Sequence, residues 1–156
     1  MKRHAYELQV VWTGSRGVGT TAYKSYDRDH EIRSAGKPAV PGSADPNFRG
    51  NPSRYNPEEM LVASLSACHM LWYLHLCAVN GIVVIAYEDS AAGTMIETAE
   101  SGYFEEVTLR PQVTISAASD EQKAMALHQE AHHRCYIANS VKFPVRNEPV
   151  ITKAGR

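Results

Sequence analysis

Charged side chains are missing from a long stretch of this 156-residue chain: no Asp, Glu, Lys or Arg occurs between Met60 and Tyr87. A net charge is also missing, because 16 basic residues face 17 acidic ones, which leaves no electrostatic surface for nucleic acid or an anionic membrane. The expected partner is a small molecule or a protein. Cysteine is scarce, and three is an odd number, so a disulfide scaffold is excluded. The segment from Met1 to Glu7 lacks the apolar stretch of a secretory signal, and a reducing cytoplasm is the expected location. The length suits a single domain, 1–156, with one real core.

The charge-free run is long enough to cross a bilayer, but Ser64, Ser66, His69 and His75 interrupt it, Glu58 and Glu59 precede it and Gly81 ends it. With no second such segment, a helix buried in a core or an oligomer interface is the better reading. Its start is well marked. Asn56 is placed as N-cap, Pro57 at the first helical position and Glu58 and Glu59 in the first turn, with Glu59 able to close a capping box. Leu61, Leu65, Trp72, Leu76 and Val79 form one apolar stripe with Cys68 within it, and Met60, Ala63, Ala67, Leu71, Leu74 and Ala78 form another. Such a helix has to be surrounded.

Before it, Tyr6 to Trp12 alternates as a half-buried strand, Thr13 to Gly19 reads as a turn, and Thr20 to Tyr26 and His30 to Ser34 read as further strands of a meander. Ala35 to Tyr55 carries Pro38, Pro41, Pro46 and Pro52 and reads as a long loop covering a site. After it, Ile82 to Tyr87, Ala91 to Gly102 and Glu105 to Ala117 read as strands. Ser119 then caps a second helix running to about His133, and Val141, Phe143 and Val145 give a last strand before a polar tail. Runs of strands separated by single helices predict an α+β domain.

Three chemistries compete for the Cys and His residues. Cys68 and Cys77 read as small apolar core residues. Nine helical residues separate them by ~13 Å, so they cannot bond to each other, and any intrachain thiol partner of Cys68 is Cys135. His128, His132 and Cys135 suggest a metal site, although Glu130 is out of place for a zinc-hydrolase motif. A thiol peroxidase is the third reading. It needs a cation to offset the burial of Cys68, with Arg16, Arg49 or Arg54 as candidates and Glu58 to orient the guanidinium.

Asn56-Pro57-Glu58-Glu59-Met60-Leu61, Ser64-Leu65-Ser66-Ala67-Cys68-His69 and Ala131-His132-His133-Arg134-Cys135-Tyr136-Ile137-Ala138-Asn139-Ser140 resemble the OsmC/Ohr family, osmotically inducible protein C and organic hydroperoxide resistance protein. The resemblance spans the chain from the first strands to the last. It implies antiparallel β-meanders around a long buried central helix, an intertwined homodimer, and cysteine-based reduction of organic hydroperoxides without a cofactor or metal. The reductant would be a dithiol, a lipoylated protein in the Ohr branch. By position, Cys68 resembles the peroxidatic cysteine, Cys135 the resolving one and Glu58 the family's acidic residue; the arginine corresponds to Arg49 in the OsmC branch and to Arg16 in the Ohr branch. A non-catalytic stress-related or small-molecule-binding domain of the same fold is the alternative. A straight helix puts Glu58 and Cys68 ~15 Å apart, so either the helix is interrupted or two chains complete the site.

Overall fold

A computed structural model describes residues 1–155. The chain divides into two compact units, Met1–Met60 and the part from Leu61 onward. Its class is α+β, as expected, with two helices and small antiparallel and mixed sheets.

The N-terminal unit holds an antiparallel sheet of β1 (Gln9–Trp12), β2 (His30–Arg33) and β3 (Val40–Gly42), with Trp12 opposite His30 and His30 opposite Gly42. Three expectations fail here. Thr20 to Tyr26 is a series of turns, because local side-chain bonds capture its backbone. The Ser25 hydroxyl bonds to the carbonyls of Gly19 and Ala22, and the Arg28 guanidinium donates to the carbonyls of Tyr23 and Tyr26 while lying 4.5 and 4.1 Å from their ring centres. The Pro-rich segment is not all loop. It contributes β3, where Pro41 is tolerated on a sheet edge, and a 3-10 turn, Pro46–Phe48, capped by the Asp45 side chain. The apolar face of β1 differs too, since Tyr6, Leu8, Val10 and Trp12 are exposed in the single chain.

Helix α1 (Pro57–Val79) begins as its sequence dictates. Asn56 Oδ1 accepts from the Glu59 amide at 2.8 Å and Glu59 Oε2 accepts from the Asn56 amide at 3.0 Å, the reciprocal capping box. It ends where Gly81, at φ 74°, lets the Ile82 amide return to the Cys77 carbonyl at 2.9 Å. By length and composition α1 could cross a membrane. Within the chain it buries Leu65, His69, Tyr73, Leu76 and Cys77, a stripe turned away from the expected one. Val79 is exposed, and Trp72 and Cys68 are only partly buried. Of the second apolar stripe, Ala63, Ala67, Leu71 and Ala78 are exposed, Leu71 by 62%, while Met60 and Leu74 are partly buried.

Strands β4 (Val84–Asp89), β5 (Ala92–Glu97), β6 (Gly102–Leu109) and β7 (Pro111–Ile115) follow. The stretch expected to be one strand from Glu105 is split at Arg110, where Pro111 opens a new strand in a different sheet. Asp89 seals the break by accepting from the Arg110 amide at 2.6 Å and from Ser66 Oγ at 2.5 Å. Helix α2 (Glu121–Arg134) is capped by Asp120, not Ser119. The Ser119 hydroxyl instead accepts from the Val83 amide at 3.0 Å, fixing the start of β4. Val141 and Phe143 lie outside any strand; β8 (Val145–Asn147) pairs in parallel with β6, and the supposed polar tail is β9 (Val150–Lys153), parallel to β7.

Two cores result. Tyr73, Leu76 and Cys77 pack with Ile82, Val113, Ile115, Ala124, Ala131 and Ile151, while Leu65 packs with Val107 and Leu109. Replacing Asn56 by Ala is expected to lower the unfolding free energy by about 1 kcal/mol, and Leu65→Ala by about 2–5 kcal/mol. Urea midpoints at unchanged slope measure both.

Candidate functional site

Cys68 lies at the edge of the buried face of α1, partly exposed, and Cys135 is the C-cap of α2, 1% exposed. Their packing is set by neighbours. One residue after Cys68, His69 Nε2 meets His128 Nδ1 of α2 at 3.0 Å, and one turn further the Tyr73 hydroxyl donates to the Ala124 carbonyl at 3.2 Å. The Tyr73 ring stacks on His128 at 3.8 Å. These bonds hold α1 along α2, and Cys68 lines the same pocket as Tyr136 and Ile137, the two residues that follow Cys135. All three cysteines are free, and Cys77 sits in the core as a packing residue.

After Cys135 the chain tightens into a 3-10 turn, Ala138–Ser140. The Ala138 amide donates to Cys135 Sγ at 3.5 Å, and Asn139 Nδ2 donates to the His133 carbonyl at 2.9 Å. Burial pushes the Cys135 thiol up to about 11; the Ala138 amide opposes this and the contact with Cys68 adds to it. In front of Cys68 is an open pocket of about 600 Å³, lined by Ser64, Ala67, Leu71, Trp72, His75, Tyr136 and Ile137. Its wall is an aromatic stack: Tyr136 meets Trp72 edge-on at 5.5 Å, and the Arg134 guanidinium, paired with Glu130, lies 5.8 Å from the Trp72 ring centre.

The remaining expected residues belong to the N-terminal unit. Arg16 is held by both oxygens of Asp27, and not by Glu58. Arg49, in the left-handed conformation at φ 66°, is exposed. Arg54 pairs with Asp29 at 3.2 Å. Glu58 is partly buried and lines a pocket with Trp12, Tyr26, Arg28, Asp45 and Phe48. Because α1 is continuous from Pro57 to Val79, no break in the helix shortens the distance from Glu58 to Cys68. As for a metal, His128 Nδ1 is engaged by His69 and His132 Nδ1 lies 3.1 Å from Asn147 Nδ2. Among the described residues no three His, Cys, Asp or Glu side chains converge as a metal site.

The sequence reading missed the His69–His128 pair, the Trp72–Tyr136 wall and the Ala138 amide. A 59-residue separation hid the histidine pair, while Trp72, one helical turn beyond Cys68, was a usable signal for the wall.

Two helices tied by a buried histidine pair, flanked by mixed sheets, define an α+β protein with free thiols on or at the end of its helices. The profile of OsmC-like proteins matches residues 50–149, and the chain belongs to that family. An OsmC-like protein of unknown function from Vibrio cholerae O1 biovar eltor is 32% identical, with 96% of this chain and 100% of that one covered and a TM-score of 0.83. An organic hydroperoxide resistance protein from Elizabethkingia anophelis shares the fold at 17% identity, covering 98% and 100% of the two chains with a TM-score of 0.68. OhrB of Bacillus subtilis, another organic hydroperoxide resistance protein, does so at 19% identity, covering 94% and 98% with a TM-score of 0.57. No functionally curated protein matches the sequence.

The buried histidines give the fold a pH dependence. Burial lowers His69 to about 4, helped by the charge of His132, and burial with the charge of His69 lowers His128 to about 3, against an ordinary 6.5. Both stay neutral in the folded chain where the unfolded chain takes up protons. Stability is therefore full above pH 6.5 and is lost as pH falls from there towards 4 and 3. The slope is at most about 1.4 kcal/mol per pH unit for each histidine. Urea unfolding between these limits should show it, and His128→Leu should flatten it.

Proposed function

We propose that the protein is a thiol-dependent peroxidase that reduces organic hydroperoxides. One observation carries this reading: a partly exposed thiol, Cys68, opens on an apolar pocket that is also lined by Tyr136 and Ile137, the residues directly after a second, sealed thiol, Cys135. The Cys68 thiolate attacks the terminal peroxide oxygen, the O–O bond breaks and the alcohol leaves after protonation, so Cys68 becomes a sulfenic acid. Cys135 then attacks the Cys68 sulfur, the disulfide forms and water is released. A dithiol, a lipoylated protein among the candidates, returns both thiols. The pocket wall of Leu71, Trp72, Tyr136 and Ile137 favours a hydroperoxide with an organic group over hydrogen peroxide, which has no apolar surface to bury. The family membership and the hydroperoxide-resistance proteins of the same fold agree with this class of substrate.

In this reading Arg49, or else Arg16, supplies the positive charge for the Cys68 thiolate, and Glu58 orients it. The continuous α1 leaves completion across a two-fold interface as the route, and an intertwined homodimer would cover both the open stripe of α1 and the exposed face of β1. The reducing cytoplasm suits a protein that works with free thiols.

With a dithiol supplied, wild type should consume an organic hydroperoxide and form a Cys68–Cys135 disulfide, and Cys68→Ser should lose all turnover. Cys135→Ser should still be oxidised once at Cys68. Mass spectrometry of the thiols decides; a wild type that consumes no peroxide and forms no disulfide would refute the reading. A monomer with full activity would refute the shared site.

A further inference from the structure

We infer that the pocket in front of Cys68 selects hydroperoxides whose peroxide-bearing carbon carries an aromatic ring, and that Trp72 and Tyr136 are the residues that read the ring. The inference rests on the reading of Cys68 as the attacking thiol and narrows the class of substrate brought to it.

Cys68, Leu71, Trp72 and His75 stand at positions i, i+3, i+4 and i+7 of α1, so all four face the pocket from one side of the helix. Trp72 lies one turn beyond Cys68, ~6 Å along the axis, and helical side chains lean back over the turn before them. The indole therefore leans towards the turn that carries the thiol. A ring attached at the peroxide-bearing carbon is the part of a substrate that meets it.

Three rings belong to the pocket wall. Tyr136 meets Trp72 at 5.5 Å and an interplanar angle of 88°, and His75 meets it at 5.7 Å and 84°. Both neighbours stand upright to the indole, so the wall has corners in place of one flat surface. At such a corner an entering ring stacks offset on one wall and sets its positive edge against the face of the other, a gain that a saturated ring of the same size does not share. The rings are open to it: Tyr136 is 68% exposed, His75 is exposed and Trp72 is only partly buried.

Little else in the lining discriminates. Among its described residues there is no carboxylate, ammonium or guanidinium, and Ser64 Oγ is committed to the Leu61 carbonyl at 2.8 Å. Arg134, 5.8 Å from the indole centre, is paired with Glu130. Ala67, Leu71 and Ile137 accept any apolar group alike. Burial by itself would favour the more hydrophobic of two ligands, which is the saturated one.

The test compares two tertiary alcohols of matched shape, 2-phenylpropan-2-ol and 2-cyclohexylpropan-2-ol, titrated against the protein by ligand-observed NMR without turnover. Wild type should bind the phenyl alcohol about 2- to 12-fold more tightly. Trp72→Leu should abolish this preference, Tyr136→Leu should shrink it, and Tyr136→Phe, which keeps the ring, should hold it. If circular dichroism shows Trp72→Leu unfolded, the two variants of the exposed Tyr136 decide. The corresponding hydroperoxides, each reduced to its alcohol as the Cys68–Cys135 dithiol becomes a disulfide and water is released, should follow the same order in kcat/KM with dithiothreitol returning the thiols. No binding of the phenyl alcohol, a wild-type ratio of one or less, a ratio that survives both leucine variants, or its loss in Tyr136→Phe overturns the inference, in a protein that can still be a peroxidase. A preference for the phenyl alcohol without turnover of either hydroperoxide would instead strike the peroxidase reading and leave the ring selectivity standing.

Discussion

The contact of His69 with His128 is the constraint on which the C-terminal unit depends. Two neutral imidazoles meet at 3.0 Å in a dry interior, one from the middle of each helix, with Tyr73 stacked on the second. A buried polar pair of this kind tolerates little sliding, because a small shift leaves both nitrogens unpaired. Hydrophobic packing alone would leave the register of α1 against α2 loose. With it fixed, the residue before His69 shares a pocket with the two residues that follow the cap of α2.

That division of labour explains the uneven character of α1. Its buried face carries His69 and the Tyr73 ring, and its exposed apolar side carries Cys68 together with Ala67 and Leu71, which line the pocket and belong to the open stripe as well. The missing charge between Met60 and Tyr87 serves both sides: a core and an apolar pocket wall. It also means that any positive charge near Cys68 must come from outside the helix.

Local signals in the sequence were read well and non-local ones poorly. The Asn56–Glu59 capping box, Pro57 and Gly81 set the limits of α1 because each acts within one helical turn. Cys77 could be assigned to the core as a small apolar helix residue and excluded by spacing as a partner of Cys68, and the motifs around Cys68 and Cys135 revealed the family. The buried stripe of α1 was misjudged because His69 and Tyr73 count as polar until their partners on α2 are known. Asp120 displaced Ser119 as a cap because Ser119 had a tertiary partner, and β9 looked like a polar tail because only its parallel neighbour β7 makes it a strand. Thr20 to Tyr26 has strand-like residues, but Ser25 and Arg28 bind its carbonyls first.

The parallel pairings also set a schedule for biosynthesis. β6 and β7 emerge from the ribosome well before β8 and β9, and Ile151, part of the same core as Tyr73 and Ile115, is made after both. Helix α1 therefore leaves the exit tunnel with its core half built and Cys68 and Cys77 open to solvent. During that interval Cys68 has no Cys135 beside it, and an oxidant meeting it then would produce a sulfenic acid with no thiol to capture it. On the proposed reading, the nascent chain is most exposed to the oxidation that the finished chain would resolve.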